Sequence, residues 1–255
     1  MPLESANSKY RLMTQTLQPS LIETMKADAE GMIALLPYHL RRLTQSAQAL
    51  GYTYPGDDVV TTAIKAALAQ ADAPSSLSIS DTQSSPPEHA TELSDKRVRL
   101  LLHPFGQLDI QTAPLPALQG QPFISLTSLR LDSDEPFLQH KTTHRPWYDT
   151  TTQWLTKHPD YFDLIFLNEK GELCEGSRSN IYVLKDREWL TPPLSSGLLG
   201  GVLRTQLLER GQAKEAILTP SDLTSDKASI RLSNALRGWF DVTLDSSLLP
   251  GRLLP

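Results

Sequence analysis

The chain has 255 residues and a mass of 28.3 kDa, enough for one large domain or two modest ones around a substantial core. With 39% hydrophobic and 21% charged residues it has a globular balance, which argues against overall disorder. The net charge of -5, with Lys and Arg scattered rather than clustered, gives no support to a nucleic-acid partner.

No apolar run approaches the roughly 20 residues that cross a bilayer. The N-terminus, with Glu4 and Lys9, does not read as a signal peptide, and Met1 suggests an independent start. The single cysteine, Cys174, excludes an intrachain disulfide framework and fits a reducing, cytoplasmic compartment.

In chain order, residues 17–25 carry Leu21 and Ile22, and the apolar run 32–36 follows Gly31. This pattern predicts two short strands joined by a turn with Asp28, Glu30 and Gly31. After Pro37, Leu40, Leu43, Ala47 and Leu50 recur at helical spacing, and Gly51 offers a C-terminal stop. A second helix is expected from about Asp57 through Ala69. Residues 72–95 are polar and rich in turn formers, and read as a long surface loop. Residues 98–102 and 108–112 read as strands around a turn at 103–106, and Pro114 and Pro116 mark a domain connection.

In the second half, residues 123–131 suit a strand, 140–148 a polar segment, and a helix follows through Trp154. Residues 163–168 read as a buried strand, 168–171 as a hairpin turn and 180–184 as its return strand. Residues 201–210 are amphipathic through Val202, Leu203, Leu207 and Leu208, and end at Gly211. Without regular strand–helix alternation or a GxGxxG motif, an α+β architecture is favoured over a dinucleotide-binding domain. The expected division is a smaller N-terminal α+β domain at 1–117 and a larger C-terminal one at 118–255.

Lys141 stands between a strand and polar residues, near His144 and Arg145. A lysine that attacks an aldehyde must be neutral, so its pKa of roughly 10.4 has to fall through desolvation or nearby positive charge. A solvated surface lysine has the same sequence surroundings. His140 and His144, four apart, would face one way on a helix, but no carboxylate or cysteine nearby completes a zinc site, so no metal is expected. Glu175, in CEGSRSN, can pair with a protonated ring nitrogen; otherwise the segment is a turn in which Gly176 takes an unusual backbone angle. Phosphate binding needs a fixed cation and backbone amides. Arg42 lies on the first helix, residues 200–203 open the later helix, and residues 233–236 offer a hydroxyl and a turn.

Taken together, LIETM (21–25), HLRRL (39–43), HKTTHRPWYD (140–149), LNEKGELCEGSRSNIYV (167–183), GLLGGVLR (197–204) and LSNALRGW (232–239) resemble the class IV aminotransferase-like family. The likeness to these fold-type IV pyridoxal-phosphate enzymes spans nearly the whole chain. It implies the two-domain, D-amino acid aminotransferase-like α+β fold and pyridoxal 5'-phosphate as cofactor. It also implies Lys141 as the Schiff-base lysine, Glu175 as the partner of the pyridine nitrogen and Arg42 as the phosphate-binding arginine. Gly201, Val202, Leu203, Ser233 and Asn234 would assist Arg42.

Within the family the chain is most similar to the aminodeoxychorismate lyases, especially the lyase-like domain fused to aminodeoxychorismate synthase component I. That likeness implies elimination of pyruvate from 4-amino-4-deoxychorismate to give 4-aminobenzoate for folate biosynthesis. Lys141 would serve as general base, Thr24 would aid proton transfer to the leaving group, and Arg145 and Arg237 would bind substrate carboxylates. One alternative is a class IV aminotransferase acting on a D-amino acid or branched-chain amino acid, using the same Lys141 and Glu175. Another is a non-catalytic domain that binds a synthase. The family further implies a homodimer, and the fused relatives suggest an aminodeoxychorismate synthase partner; neither a nucleic acid nor a membrane is expected. Two departures stand out. The Asp-Arg-Gly and Gly-Asp-Gly opening of stand-alone relatives is absent, residues 10–21 filling its place differently, and Leu203 stands where relatives commonly carry threonine or serine. Cys174 has no evident catalytic task and reads as a small buried residue.

Overall fold

The computed structural model describes residues 18–72, 94–224 and 229–245. Most of the polar stretch expected as a loop at 72–95, and residues 10–17 of the opening, lie outside them.

Helix and sheet are mixed, with the strands in two sheets. The smaller sheet is an antiparallel meander of β1 (Leu21–Ala27), β2 (Lys96–Leu102) and β3 (Leu108–Pro114). Two helices, α1 (Leu36–Leu50) and α2 (Asp57–Asp72), pack against it. Side chains alternate across a strand, so Leu21, Glu23, Met25 and Ala27 share one face of β1. The apolar three join Leu43, Ala47 and Leu50 of α1, Ile64 and Leu68 of α2, and Val98, Leu100 and Leu102 of β2 in one core. Glu23 is thereby carried under α1, while Thr24 points to the opposite side.

The expected second strand at 32–36 does not form. The Asp28 carboxylate accepts the backbone N–H groups of Glu30 and Met32 at 3.1 and 2.7 Å, which curls this segment into a turn, and Met32 is 67% exposed. Helix α1 then starts at Leu36 with Pro37 in its first turn, where a missing N–H costs nothing, and stops at Gly51 with φ +72°.

The larger sheet holds β4 (Phe123–Leu131), β5 (Tyr161–Asn168), β6 (Leu173–Gly176), β7 (Asn180–Lys185), β8 (Glu188–Thr191), β9 (Lys214–Glu215), β10 (Ser229–Asn234) and β11 (Gly238–Leu244). Its order is β10-β11-β4-β5-β6-β7-β8-β9, and an added β10–β7 pairing closes six strands into a ring. Ile124, Leu126, Ile165, Leu167, Ile181, Val183, Ile230 and Leu232 form its main core. Helices α3 (Asp149–Lys157), α4 (Val202–Glu209) and α5 (Pro220–Leu223) lie in the connections. Residues 180–184 are a strand, but β6, not β7, is the return partner of β5. The Asn168 side chain accepts the N–H groups of Lys170 and Glu172, closing the turn soon enough for Leu173 to pair with Leu167. Among the described residues no helix is long and apolar enough to cross a membrane.

Candidate active site

Lys141 sits where the two sheets meet. Its carbonyl accepts the Ile22 N–H at 2.7 Å, Thr142 forms a β-bridge with Leu21, and the Thr143 N–H donates to the Ser20 carbonyl. The lysine backbone is therefore fixed to the edge of β1. Its side chain keeps some solvent contact through a cavity of about 180 Å³. Burial is still the largest cause lowering its pKa, to about 7. Arg145 and Arg42 add to the effect, and Glu23 and Glu175 oppose it. At neutral pH a substantial fraction of this amine is unprotonated.

Glu175 lies on β6, buried against the same cavity. Its Oε1 accepts from the Tyr148 hydroxyl at 2.6 Å and the Leu199 N–H at 3.0 Å. Its Oε2 has only a long contact, 3.4 Å, from the Asn180 amide, and is the oxygen left with acceptor capacity. Burial raises this carboxyl to about 7, against the opposing pull of Arg145, Tyr148, the Leu199 N–H and Lys141. The Arg145 guanidinium lies 4.4 Å from the centre of the Tyr148 ring, so cation, phenol and carboxylate form one chain.

Gly176 has no positive φ, contrary to the turn reading. Space demands it instead, since a Cβ there would lie 2.2 Å from Asp163 Oδ2. Asp163, fully buried at the head of β5, organises the whole segment. Its carboxylate accepts from the Ser177 N–H and hydroxyl (both 2.8 Å), the Arg178 N–H (3.0 Å), the Ser179 hydroxyl (2.6 Å) and its neighbour Leu164 (3.0 Å). Replacing it (D163A) leaves buried donors without acceptors at about 1–3 kcal/mol each. We expect the melting temperature to fall by at least about 6 °C. A melt within about 2 °C of the parent chain would refute this role.

Arg42 projects from α1 into the cavity. Its Nε and Nη2 donate to the two oxygens of Glu23 at 2.9 and 2.6 Å, and its Nη1 to the Gly200 carbonyl at 3.3 Å. Gly201, Val202 and Leu203 line the cavity at the start of α4, and Ser233 and Asn234 close it from β10. A Cβ on Gly201 would lie 2.1 Å from Asn180 Oδ1, so close approach requires this glycine. The Ser233 hydroxyl is paired with that of Tyr182 at 2.8 Å. The Asn234 side chain is committed to its own turn, accepting the N–H groups of Leu236 and Arg237.

Thr24 and Arg145 line the cavity as well, so of the residues expected to bind cofactor or substrate all but Arg237 are brought there. Arg237 borders an adjoining cavity of about 720 Å³ and donates to the Pro116 carbonyl. His140 and His144 do not share a helix face. His140 pairs with Ser46, and His144 sits edge-on to Phe137 and Trp147. Among the described residues no group of three or more His, Cys, Asp or Glu side chains could hold a metal ion. Cys174 is buried with its thiol on the Ser196 carbonyl, and burial pushes that thiol far above its ordinary pKa. Sequence reasoning missed Glu23, Tyr148, Asp163 and Asn180. The legible signal for Asp163 is an acidic residue heading an otherwise apolar strand.

The model of the family "Amino-transferase class IV" matches residues 20–244. The "Putative aminodeoxychorismate lyase" of Schizosaccharomyces pombe is 28% identical over 201 residues, 78% of this chain and 77% of its own length. Among solved structures, a "Putative amino-acid aminotransferase" from Mesorhizobium loti superposes with a TM-score of 0.74 and 30% identity, covering 89% of this chain and 99% of that one. A "Putative 4-amino-4-deoxychorismate lyase" from Legionella pneumophila shares the fold, with a TM-score of 0.71 at 19% identity over 95% of this chain and 87% of that one. With nearly the whole described fold inside the family match, the chain belongs to the class IV aminotransferases, whose cofactor is pyridoxal 5'-phosphate.

Proposed function

We propose that this chain is a 4-amino-4-deoxychorismate lyase, releasing 4-aminobenzoate and pyruvate. The observation that carries the reading is the meeting, in one cavity, of a desolvated lysine, a buried carboxylate and the Thr24 hydroxyl. The likeness to the S. pombe protein supports it.

The residues present fit the cofactor. Lys141 offers an amine to its aldehyde, Glu175 Oε2 has room for one strong donor, and Arg42, the start of α4 and Ser233 would hold its phosphate. When bound, pyridoxal phosphate supplies an electron sink for a carbon that loses a proton beside the substrate nitrogen. Freed when the substrate amine takes its place on the aldehyde carbon, Lys141 Nζ would be the base for that proton, and a pKa of about 7 suits the task at neutral pH. Glu175 Oε2 would keep the ring nitrogen of the bound cofactor protonated. The carbon–oxygen bond to the enolpyruvyl group then breaks, and Thr24 Oγ1 relays a proton to the methylene carbon of the departing enolate. Arg145 receives a substrate carboxylate, whereas Arg237 would act only from the adjoining cavity.

The second reading, a transaminase for D-amino or branched-chain amino acids, is favoured by the likeness to the M. loti aminotransferase. Under it Lys141 would both take up the proton and give it back, and Thr24 would have no task. One assay separates them. Purified protein with pyridoxal phosphate and aminodeoxychorismate is expected to release 4-aminobenzoate and pyruvate in equal amounts. Amino transfer to 2-oxoglutarate or pyruvate without 4-aminobenzoate would overturn the lyase reading. Failure to bind the cofactor would favour a non-catalytic domain. The same reading carries a homodimer supplied by an aminodeoxychorismate synthase, which sedimentation of the protein alone and with that synthase would test.

A further inference from the structure

Glu23 belongs to no role assigned above, yet it is among the most enclosed charges in the described fold, 2% exposed. Strand alternation carries it beneath α1, and His39 and Arg42, three apart, share the helix face above it. Three donors converge on its carboxylate. Arg42 Nε lies 2.9 Å from Oε1, Arg42 Nη2 2.6 Å from Oε2, and His39 Nδ1 2.5 Å from Oε2. Burial alone would raise this carboxyl. Arg42 and His39 overcome that and hold it at about 2, so Glu23 is an anion throughout the physiological range. Burial lowers the His39 pKa against the opposing pull of Glu23, and its Nδ1–H donates while Nε2 is buried without a partner among the described residues.

A guanidinium has five N–H donors. Glu23 takes two and the Gly200 carbonyl a third, which leaves two, one on each terminal nitrogen. The ion pair is net neutral. An arginine placed here for its charge alone would not have a carboxylate at 2.6 Å, because that carboxylate cancels the field an anion would feel at a distance. What survives pairing is direction: two N–H groups fixed on a rigid fork, the arrangement that matches two oxygens of one phosphate.

We propose that Glu23 is the positioning residue for Arg42, gripping one edge of the guanidinium so that its free N–H groups are aimed at the phosphate. The inference rests on the reading of Arg42 as a phosphate ligand.

The test compares binding of pyridoxal 5'-phosphate with that of pyridoxal, which lacks the phosphate, in variants checked for folding by circular dichroism. Glu23→Gln is expected to lower the preference for the phosphorylated form by about tenfold or more while leaving pyridoxal affinity nearly unchanged. A folded E23Q protein with the parent preference, or one weakened equally toward both compounds, would overturn the proposal. Should E23Q fail to fold, Arg42→Lys decides, since it keeps the cation and the pairing but cannot present a gripped fork. Loss of the preference supports positioning, and retention shows that charge suffices. A Glu23→Gln/Arg42→Met double variant, which buries no unpaired charge, tests the underlying reading. An unchanged preference there removes Arg42 from the phosphate site altogether. A loss there, with E23Q and R42K both unaffected, defeats only the role of Glu23.

Discussion

Replacing Lys141 with alanine is expected to leave a folded chain that forms no covalent link to pyridoxal phosphate and loses turnover by at least about 10²–10⁴-fold. Folding survives because the residue's structural contacts are made by its backbone: the bond from the Ile22 N–H and the adjacent bridge between Leu21 and Thr142 do not involve the amine. The alanine chain should even be the more stable one at neutral pH. The folded state lowers the lysine pKa from 10.5 to about 7. Between those values the unfolded chain holds a proton that the folded chain does not, so this residue's contribution to stability rises with pH across that window. Below about 7 both states are protonated and the penalty for burying the ammonium is full. Substitution removes that penalty. Borohydride reduction followed by mass measurement of the Lys141 peptide checks the first claim, and melting at pH 6 and pH 9 checks the second. In the parent chain, the rate of cofactor capture should level off above about pH 7 instead of climbing toward 10. A reducible adduct surviving in K141A would defeat the assignment.

Much of this arrangement was legible in the order of residues, and the reason differs from place to place. The elements with strong periodicity, α1, α2, β2 to β5 and α4, were readable because burial imposes a spacing on apolar side chains. The failure at residues 32–36 came from a local polar contact. An apolar run suggests a strand, but Asp28 captures the backbone of Met32 and denies it a ladder. The return strand of β5 was misplaced because β6 has only four residues, too few for a pattern to emerge. Within the site, the resemblance named residues by type and position, but not their neighbours. That Oε1 of Glu175 is already taken by Tyr148 and Leu199, or that Arg42 is gripped by Glu23, depends on long-range contacts that motif spacing does not encode.

The occupied and open oxygens of Glu175 define what its amide analogue should do. In Glu175→Gln, the side-chain oxygen can still accept from the Tyr148 hydroxyl and the Leu199 N–H, so neither buried donor is orphaned. The nitrogen replaces Oε2, and a donor then faces the position from which the carboxylate would hold the ring-nitrogen proton. A charge-assisted hydrogen bond is lost, about 1.5–3 kcal/mol, or roughly a 10- to 100-fold slower proton abstraction by Lys141. Cofactor capture should be nearly unchanged. Burial also sets the pH behaviour. The folded state raises this carboxyl from 4.5 to about 7, so as pH rises across that window the folded chain keeps a proton that the unfolded chain has released, and stability falls. The glutamine chain lacks that decline and should melt higher than the parent above pH 7. Glu175→Ala separates charge from scaffolding, because it strands Tyr148 and the Leu199 N–H and should lose cofactor affinity as well as rate. Single-turnover measurement of proton loss, with equilibrium cofactor titration, distinguishes the two variants. If E175Q abstracts the proton at the parent rate, the carboxylate does not stabilise the protonated ring, and its place in the cavity is structural.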